Sequence, residues 1–213
     1  MMNNQPEGYL AKPTMGNQRA VLVLHPWWGL NDTIKNFCTR LSEAGFLTFA
    51  PDLYHGKLAT TIPQAENLVS ALDDKQAVAD ITAAVDFLSE QNGRPLAVIG
   101  FSLGAYYAIQ LSTSDPQRVK DVVVFYGAGE GDFTLSKSAY LGHFAEKDNY
   151  EDQEFIDEME KALRAAGRPV TFYQYPGTGH WFFEPDRKDA FNQVAADLAW
   201  DRTLAFLENP PTA

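Results

Sequence analysis

Val98-Ile99-Gly100-Phe101-Ser102-Leu103-Gly104-Ala105-Tyr106 decides how the rest of this chain is read. The apolar run from Leu96 to Ile99 reads as a strand, and Ala105, Ala108, Ile109 and Leu111 recur at helical spacing. Ser102 sits at the corner between them. Gly100 and Gly104 flank it for a steric reason: at so sharp a turn the helix start packs against the strand end, where a side chain would clash. Such a corner strains the serine backbone and turns its hydroxyl outward. The Leu103 amide opens the helix and can donate to a negative oxygen, aided by the helix dipole. The pattern is that of a nucleophile elbow. Gly-x-Ser-x-Gly also arises by chance, and a glycine-rich turn joins strand to helix in any doubly wound sheet. The surrounding sequence has to discriminate between the two.

Working outward, strand and helix patterns alternate. Gly8 to Pro13 reads as a short edge strand, Thr14 to Arg19 as a turn, and valine-rich Ala20 to Leu24 as a strand buried on both faces. Asn31-Asp32-Thr33 caps a helix carrying Ile34, Phe37, Cys38 and Leu41, stopped by Gly45, and Phe46 to Ala50 is the next strand. Pro63 opens a helical stretch broken near Asp73-Asp74; its second part places Ala77, Val78, Ile81, Val85 and Leu88 on one face and ends at Asn92-Gly93. After the elbow come strands at Val122 to Tyr126 and Ala139 to Ala145, a helix at Asp152 to Ala166, a strand at Val170 to Tyr175, and a closing helix from Pro185 to about Glu208. This alternation predicts an α/β fold, a mostly parallel sheet with helices on both faces. Ligands in such sheets bind beyond the carboxyl ends of the strands.

The 213 residues suffice for one domain, residues 1–213, with a sizeable core. A formal charge of -11 argues against nucleic acid or an anionic membrane as partner. The single cysteine, Cys38, permits no internal disulfide. Met1 to Pro13 is polar and lacks a signal-peptide pattern, and no apolar run is long enough to span a bilayer. A cytoplasmic location is expected. Nothing in the sequence sets an oligomeric state.

A serine needs a base. His180, in the loop Pro176-Gly177-Thr178-Gly179-His180 after the last strand, is the candidate. Asp148, a short turn after the strand Ala139 to Ala145, is placed to orient it, with Glu146 as runner-up and Glu130 and Asp132 weaker. The order Ser, Asp, His fits one arrangement of such a triad. An oxyanion hole needs two amides; Leu103 supplies one and the loop after Ala20 to Leu24 the other, at Trp27. Trp28, Tyr54, Phe101, Tyr126 and Trp181 are the expected pocket wall, against the alternative that the tandem tryptophans merely pack under the sheet edge. His143, inside a strand pattern, reads as a core residue, and His25 could orient the first loop by a hydrogen bond. No histidine pair has metal-ligand spacing and no phosphate loop is present, so neither metal nor cofactor is expected.

His25-Pro26-Trp27-Trp28-Gly29-Leu30-Asn31, Pro51-Asp52-Leu53-Tyr54-His55-Gly56, the elbow, Asp148, Gly179-His180 and Arg202 to Leu207 resemble the dienelactone hydrolase family. The resemblance spans nearly the whole chain. It implies an α/β-hydrolase fold without a large cap domain, a triad at Ser102, His180 and Asp148, an oxyanion hole at Trp27 and Leu103, and hydrolysis of a small ester or lactone. Three departures stand out. The founding enzymes carry cysteine where this chain has Ser102, glutamate where it has Pro26, and a substrate-binding arginine where it has Glu184. The first two agree with each other, since a serine is deprotonated during attack rather than at rest. The third predicts a neutral substrate, because a carboxylate would there meet a carboxylate. Two further readings use the same fold: a non-catalytic ligand-binding protein, and a thioesterase or peptidase working through the same triad. Binders usually lose a triad residue, and this chain keeps all three.

Overall fold

The apolar runs read as strands pair into one sheet. The computed structural model describes residues 5–15 and 19–211. Along it run β1 (Gly8–Ala11), β2 (Ala20–Leu24), α1 (Asp32–Glu43), β3 (Leu47–Pro51), α2 (Ile62–Ser70), α3 (Asp74–Asn92), β4 (Leu96–Phe101), α4 (Leu103–Ser114), β5 (Val119–Phe125), β6 (Ala139–Ala145), α5 (Gln153–Ala165), β7 (Val170–Tyr175) and α6 (Gln193–Glu208). The strand order is β1-β3-β2-β4-β5-β6-β7. Among the described residues only the β1–β3 pair is antiparallel; the other neighbouring pairs are parallel. The turn expected at Thr14 to Arg19 includes residues 16–18, which lie outside the described residues.

Alternate residues of each strand feed two apolar layers. Leu22, Leu24, Val98, Val122 and Val124 pack beneath α3, α4 and α5, with Ile81, Ala108 and Leu163. Val21, Val23, Ile99, Val123 and Phe125 pack on the opposite face against α1 and α6, with Phe37, Leu41 and Phe206. Cys38 belongs to this second layer, and burial raises its thiol pKa. No described helix is long and apolar enough to cross a membrane.

Helix starts follow their capping chemistry. Asn31 accepts from the Ile34 amide, and Asp73 accepts from those of Lys75 and Gln76, which breaks α2 from α3 where the sequence suggests. Elsewhere the elements shift. The closing helix begins at Gln193 rather than Pro185. The buried side chains of Phe182, Phe183 and Glu184 fix the chain, turns follow, and Asn192 caps the helix by accepting from the Ala195 amide. Strand β5 starts three residues before Val122 and ends at Phe125; Tyr126 already has a positive φ of 37°. Val78, expected on the buried face of α3, is 50% exposed.

Candidate active site

Gly100 and Gly104 are required by backbone packing. A Cβ on Gly100 would lie 2.3 Å from the Gly104 carbonyl oxygen, and one on Gly104 would lie 2.2 Å from that of Leu24. Gly127 completes the corner: its Cβ would meet the Ser102 carbonyl oxygen at 2.8 Å and the Ala105 Cβ at 2.7 Å. The sequence marks Gly127 only as the end of a strand, and its role at the corner emerges from the parallel β4–β5 register. Between these contacts Ser102 is held at φ 50°, ψ -112°, a region that costs an ordinary residue free energy. Its amide donates to the Phe125 carbonyl at 2.9 Å. Leu103 is the first residue of α4, so its N–H has no carbonyl within the helix to donate to.

The loops after β6 and β7 bring the two partners in. Lys147 donates its amide to the Thr178 carbonyl at 3.1 Å, and the Thr178 hydroxyl donates to the Tyr175 carbonyl at 2.7 Å. His180 is 6% exposed. Its Nδ1 lies 2.7 Å and 2.8 Å from the two carboxylate oxygens of Asp148, and its Nε2 lies 3.0 Å from Ser102 Oγ. A carboxylate can only accept, so Nδ1 carries the proton and Ser102 donates to Nε2. Asp148 Oδ1 also accepts from the Tyr150 amide at 2.9 Å and the Glu151 amide at 3.1 Å, which fixes the carboxylate plane. The runner-up acid, Glu146, instead accepts from the Gly177 amide and braces the His180 loop.

His25 is fully buried and holds the first loop by both nitrogens. Nε2 accepts from the Leu53 amide at 3.1 Å, so Nδ1–H donates to the Pro26 carbonyl at 2.7 Å, and burial lowers its pKa. This anchors the turn that carries Trp27. His143 is a core residue, bonded to Tyr175 and Thr203, and burial pushes its pKa down to about 3. Glu151 carries no signal in the sequence. It accepts from the Ala128 amide at 3.0 Å, tying the loop after β5 to the Asp148 turn, and burial raises its pKa to about 7.

Beside His180 opens a cleft of about 810 Å³. Trp28 and Trp181 line it as expected, together with Tyr150, the start of α2 at Ile62, and Arg187. Three expected wall residues are placed elsewhere. Phe101 is fully buried and stacks on Phe125 at 4.6 Å, because as the last residue of β4 it shares the face of Ile99. Tyr54 is 5% exposed and packs on His25 at 5.1 Å, away from the cleft wall. Tyr126 is fully buried, its ring 4.9 Å from that of His180, and supports the imidazole from beneath.

Glu184 also departs from expectation. It does not line the cleft and is fully buried, accepting from the Tyr126 hydroxyl at 2.7 Å. Burial pushes its pKa up to about 8. A carboxylate at that position therefore gives no ground for expecting a neutral substrate. The cleft instead carries Lys147, Arg187 and Lys188 beside Asp186 and Asp189.

A model of the Dienelactone hydrolase family matches residues 7–210. The protein named "Protein usf" of Aquifex pyrophilus is 30% identical over 94% of this chain and 92% of its own length. A Bradyrhizobium protein named "Probable 2-oxo-3-(5-oxofuran-2-ylidene)propanoate lactonase" is 30% identical over 93% of this chain and 87% of its own. Among solved structures, a dienelactone hydrolase-like promiscuous phosphotriesterase from metagenomic libraries superposes with a TM-score of 0.81 at 20% identity, covering 92% of this chain and 87% of that one. That likeness establishes the architecture, an α/β-hydrolase sheet.

Proposed function

The chain belongs to the dienelactone hydrolase family, hydrolases of ester and lactone bonds, and from that premise we propose that it cleaves a small ester or lactone through a Ser102–His180–Asp148 triad and an acyl-enzyme. The observation that carries this reading is the unbroken contact chain from Ser102 Oγ through His180 to Asp148, at 3.0 Å and 2.7 Å. Ser102 attacks the carbonyl carbon while its proton passes to Nε2. Asp148 holds the tautomer that leaves Nε2 free to accept, and stabilises the imidazolium that forms. The amides of Leu103, at the start of α4, and of Trp27, in the loop that His25 pins, are the proposed donors to the oxyanion. The imidazolium then protonates the departing alcohol. Water, deprotonated by the same imidazole, attacks the acyl carbon and releases Ser102.

The pairing of the cleft arginine favours a neutral substrate, although Lys147 and Lys188 line the same cleft. Arg187, the arginine on the cleft wall, is committed to Asp186 at 2.7 Å and lies 4.0 Å above the Trp28 ring. A substrate carboxylate would have to compete with that pairing. The test of the triad is Ser102→Ala: ester turnover falls by roughly 10⁴-fold or more while the circular dichroism spectrum is unchanged. Turnover near the wild-type rate would sink the assignment.

A further inference from the structure

The site contains a feature that the proton relay does not use. Trp27, Trp28, Tyr150 and Trp181, from three different loops, form one aromatic cluster beside His180. Ring centroids are 5.3 Å apart for Trp27–Trp28, 5.9 Å for Trp27–Trp181, 5.2 Å for Trp28–Trp181 and 4.9 Å for Tyr150–Trp181. Tyr150 and Trp181 each lie 5.1 Å from the His180 ring. Trp28 stands in a small patch apart from the two main apolar layers; Trp27 and Trp181 lean on it, and Trp181 also leans on the layer under α1 and α6. Trp28 packs with Ala59 and Ala65, and Leu68 of α2 leans on the same patch.

Its polar atoms are unusual. The indole N–H groups of Trp27, Trp28 and Trp181 are all buried and find no acceptor among the described residues. A buried indole N–H normally has a partner; these three are sealed from solvent, so the cluster meets the cleft through its ring faces and not through its N–H groups. Arg187 already covers one face of Trp28. That leaves Trp181 and Tyr150, the latter 48% exposed, as the stacking surfaces presented to the cleft.

The place of these rings identifies which part of a substrate they would take. Tyr150 and Trp181 flank the His180 ring, and Tyr150 also meets the Trp27 ring at 5.5 Å. In ester hydrolysis the imidazolium gives its proton to the departing oxygen, so a group held on the imidazole side of the scissile bond is the alcohol, not the acyl chain. Resting on the hydrolytic reading above, we propose that the Trp181–Tyr150 wall is a leaving-group subsite that selects esters of planar aromatic alcohols.

Two pairs of esters test this. Benzyl acetate and n-butyl acetate share an acyl group and differ in the alcohol; methyl phenylacetate and methyl pentanoate differ in the acyl group. In Tyr150→Leu and Trp181→Leu the benzyl-to-butyl ratio of kcat/KM falls about tenfold, the size of one lost aromatic contact, and the acyl-side ratio stays constant. A benzyl-to-butyl ratio unmoved in both folded variants, or a change confined to the acyl pair, overturns the proposal. A second measurement separates it from the hydrolytic reading. Titration of Ser102→Ala with benzyl alcohol, followed by tryptophan fluorescence, needs no turnover. A saturable change that weakens about tenfold in Ser102→Ala/Tyr150→Leu supports the subsite even if none of the four esters is cleaved. No change, or one that the second substitution leaves alone, overturns it.

Discussion

His143 and His180 are alike in burial and unlike in company. One is 0% exposed on β6, the other 6% exposed in the loop after β7, and both have each ring nitrogen engaged. The partners of His143 are hydroxyls. Thr203 spends its hydrogen on the Ala199 carbonyl, so it accepts from His143 Nε2, and Nδ1 accepts from Tyr175. Burial, then the charge of Arg202, disfavours a proton there and pushes the pKa down to about 3. The Nδ1 partner of His180 is a carboxylate, and its Nε2 faces the strained Ser102. Burial and full hydrogen bonding therefore do not separate the two histidines. A carboxylate able to stabilise an imidazolium, and a serine hydroxyl across the ring, do, and they are what the proposed mechanism assigns to His180.

Asp148→Asn would break that distinction with the largest effect. The introduced side-chain amide can keep its carbonyl oxygen on the Tyr150 and Glu151 amides, which places its NH₂ against Nδ1. Nδ1 must then accept, the proton moves to Nε2, and Ser102 loses its base. The kcat falls about 10⁴-fold with little loss of stability, the scale expected for a wrong tautomer. A loss under about tenfold would remove Asp148 from the relay.

The next effect lies in stability rather than rate. His143→Ala strips partners from Tyr175 and Thr203 and leaves a void, at a cost of roughly 3 kcal/mol in urea unfolding. The folded variant keeps its kcat. Protonation gives a sharper test. The unfolded chain takes up a proton near the ordinary histidine pKa of 6.5, whereas native His143 does so only near 3. Protons therefore favour the unfolded state, and wild-type stability contributed here is present above pH 6.5 and lost as pH falls toward 3, by up to about 1.4 kcal/mol per pH unit. The variant loses that component of the slope; an unchanged slope would mean that His143 is not held neutral.

How much of this was readable follows from what each residue's signal depends on. The elbow was legible because Gly100 and Gly104 answer to backbone contacts that any such corner makes. The sheet was legible because strands covered on both faces read as unbroken apolar runs. The meeting of Asp148 and His180 beside Ser102 is legible through chain order and loop position. Orientation was less so. Phe101 adjoins the serine in sequence, but the two-residue period of β4 sends it to the layer under α1 and α6, a consequence open to anyone counting from Ile99. Glu184 departs from its expectation because correspondence with the family's arginine places its Cα and not its carboxyl, which turns inward to Tyr126. Gly127 and Glu151 act through contacts between strands and loops distant in sequence, and no local pattern announces them.

His55 extends the comparison to a third environment and the smallest effect. Its side chain is 46% exposed, with Nδ1 2.8 Å from Glu7 and Nε2 3.2 Å from Asp80. The hydrogen bond to Glu7, and then the charges of Asp80, Glu7 and Asp52, raise its pKa against slight desolvation. The sign is opposite to that of His143: a raised folded pKa gives stability present below the unfolded value of 6.5 and lost as pH rises through the folded value. Water and salt screen such a pair, so His55→Asn, which tolerates the φ of 50°, costs under about 1 kcal/mol at pH 5.5 and nothing measurable at pH 9. The difference vanishes in concentrated salt. If the loss persists at pH 9, His55 holds the loop after β3 by packing or by neutral hydrogen bonds, and charge is not what joins β1 to α3 there.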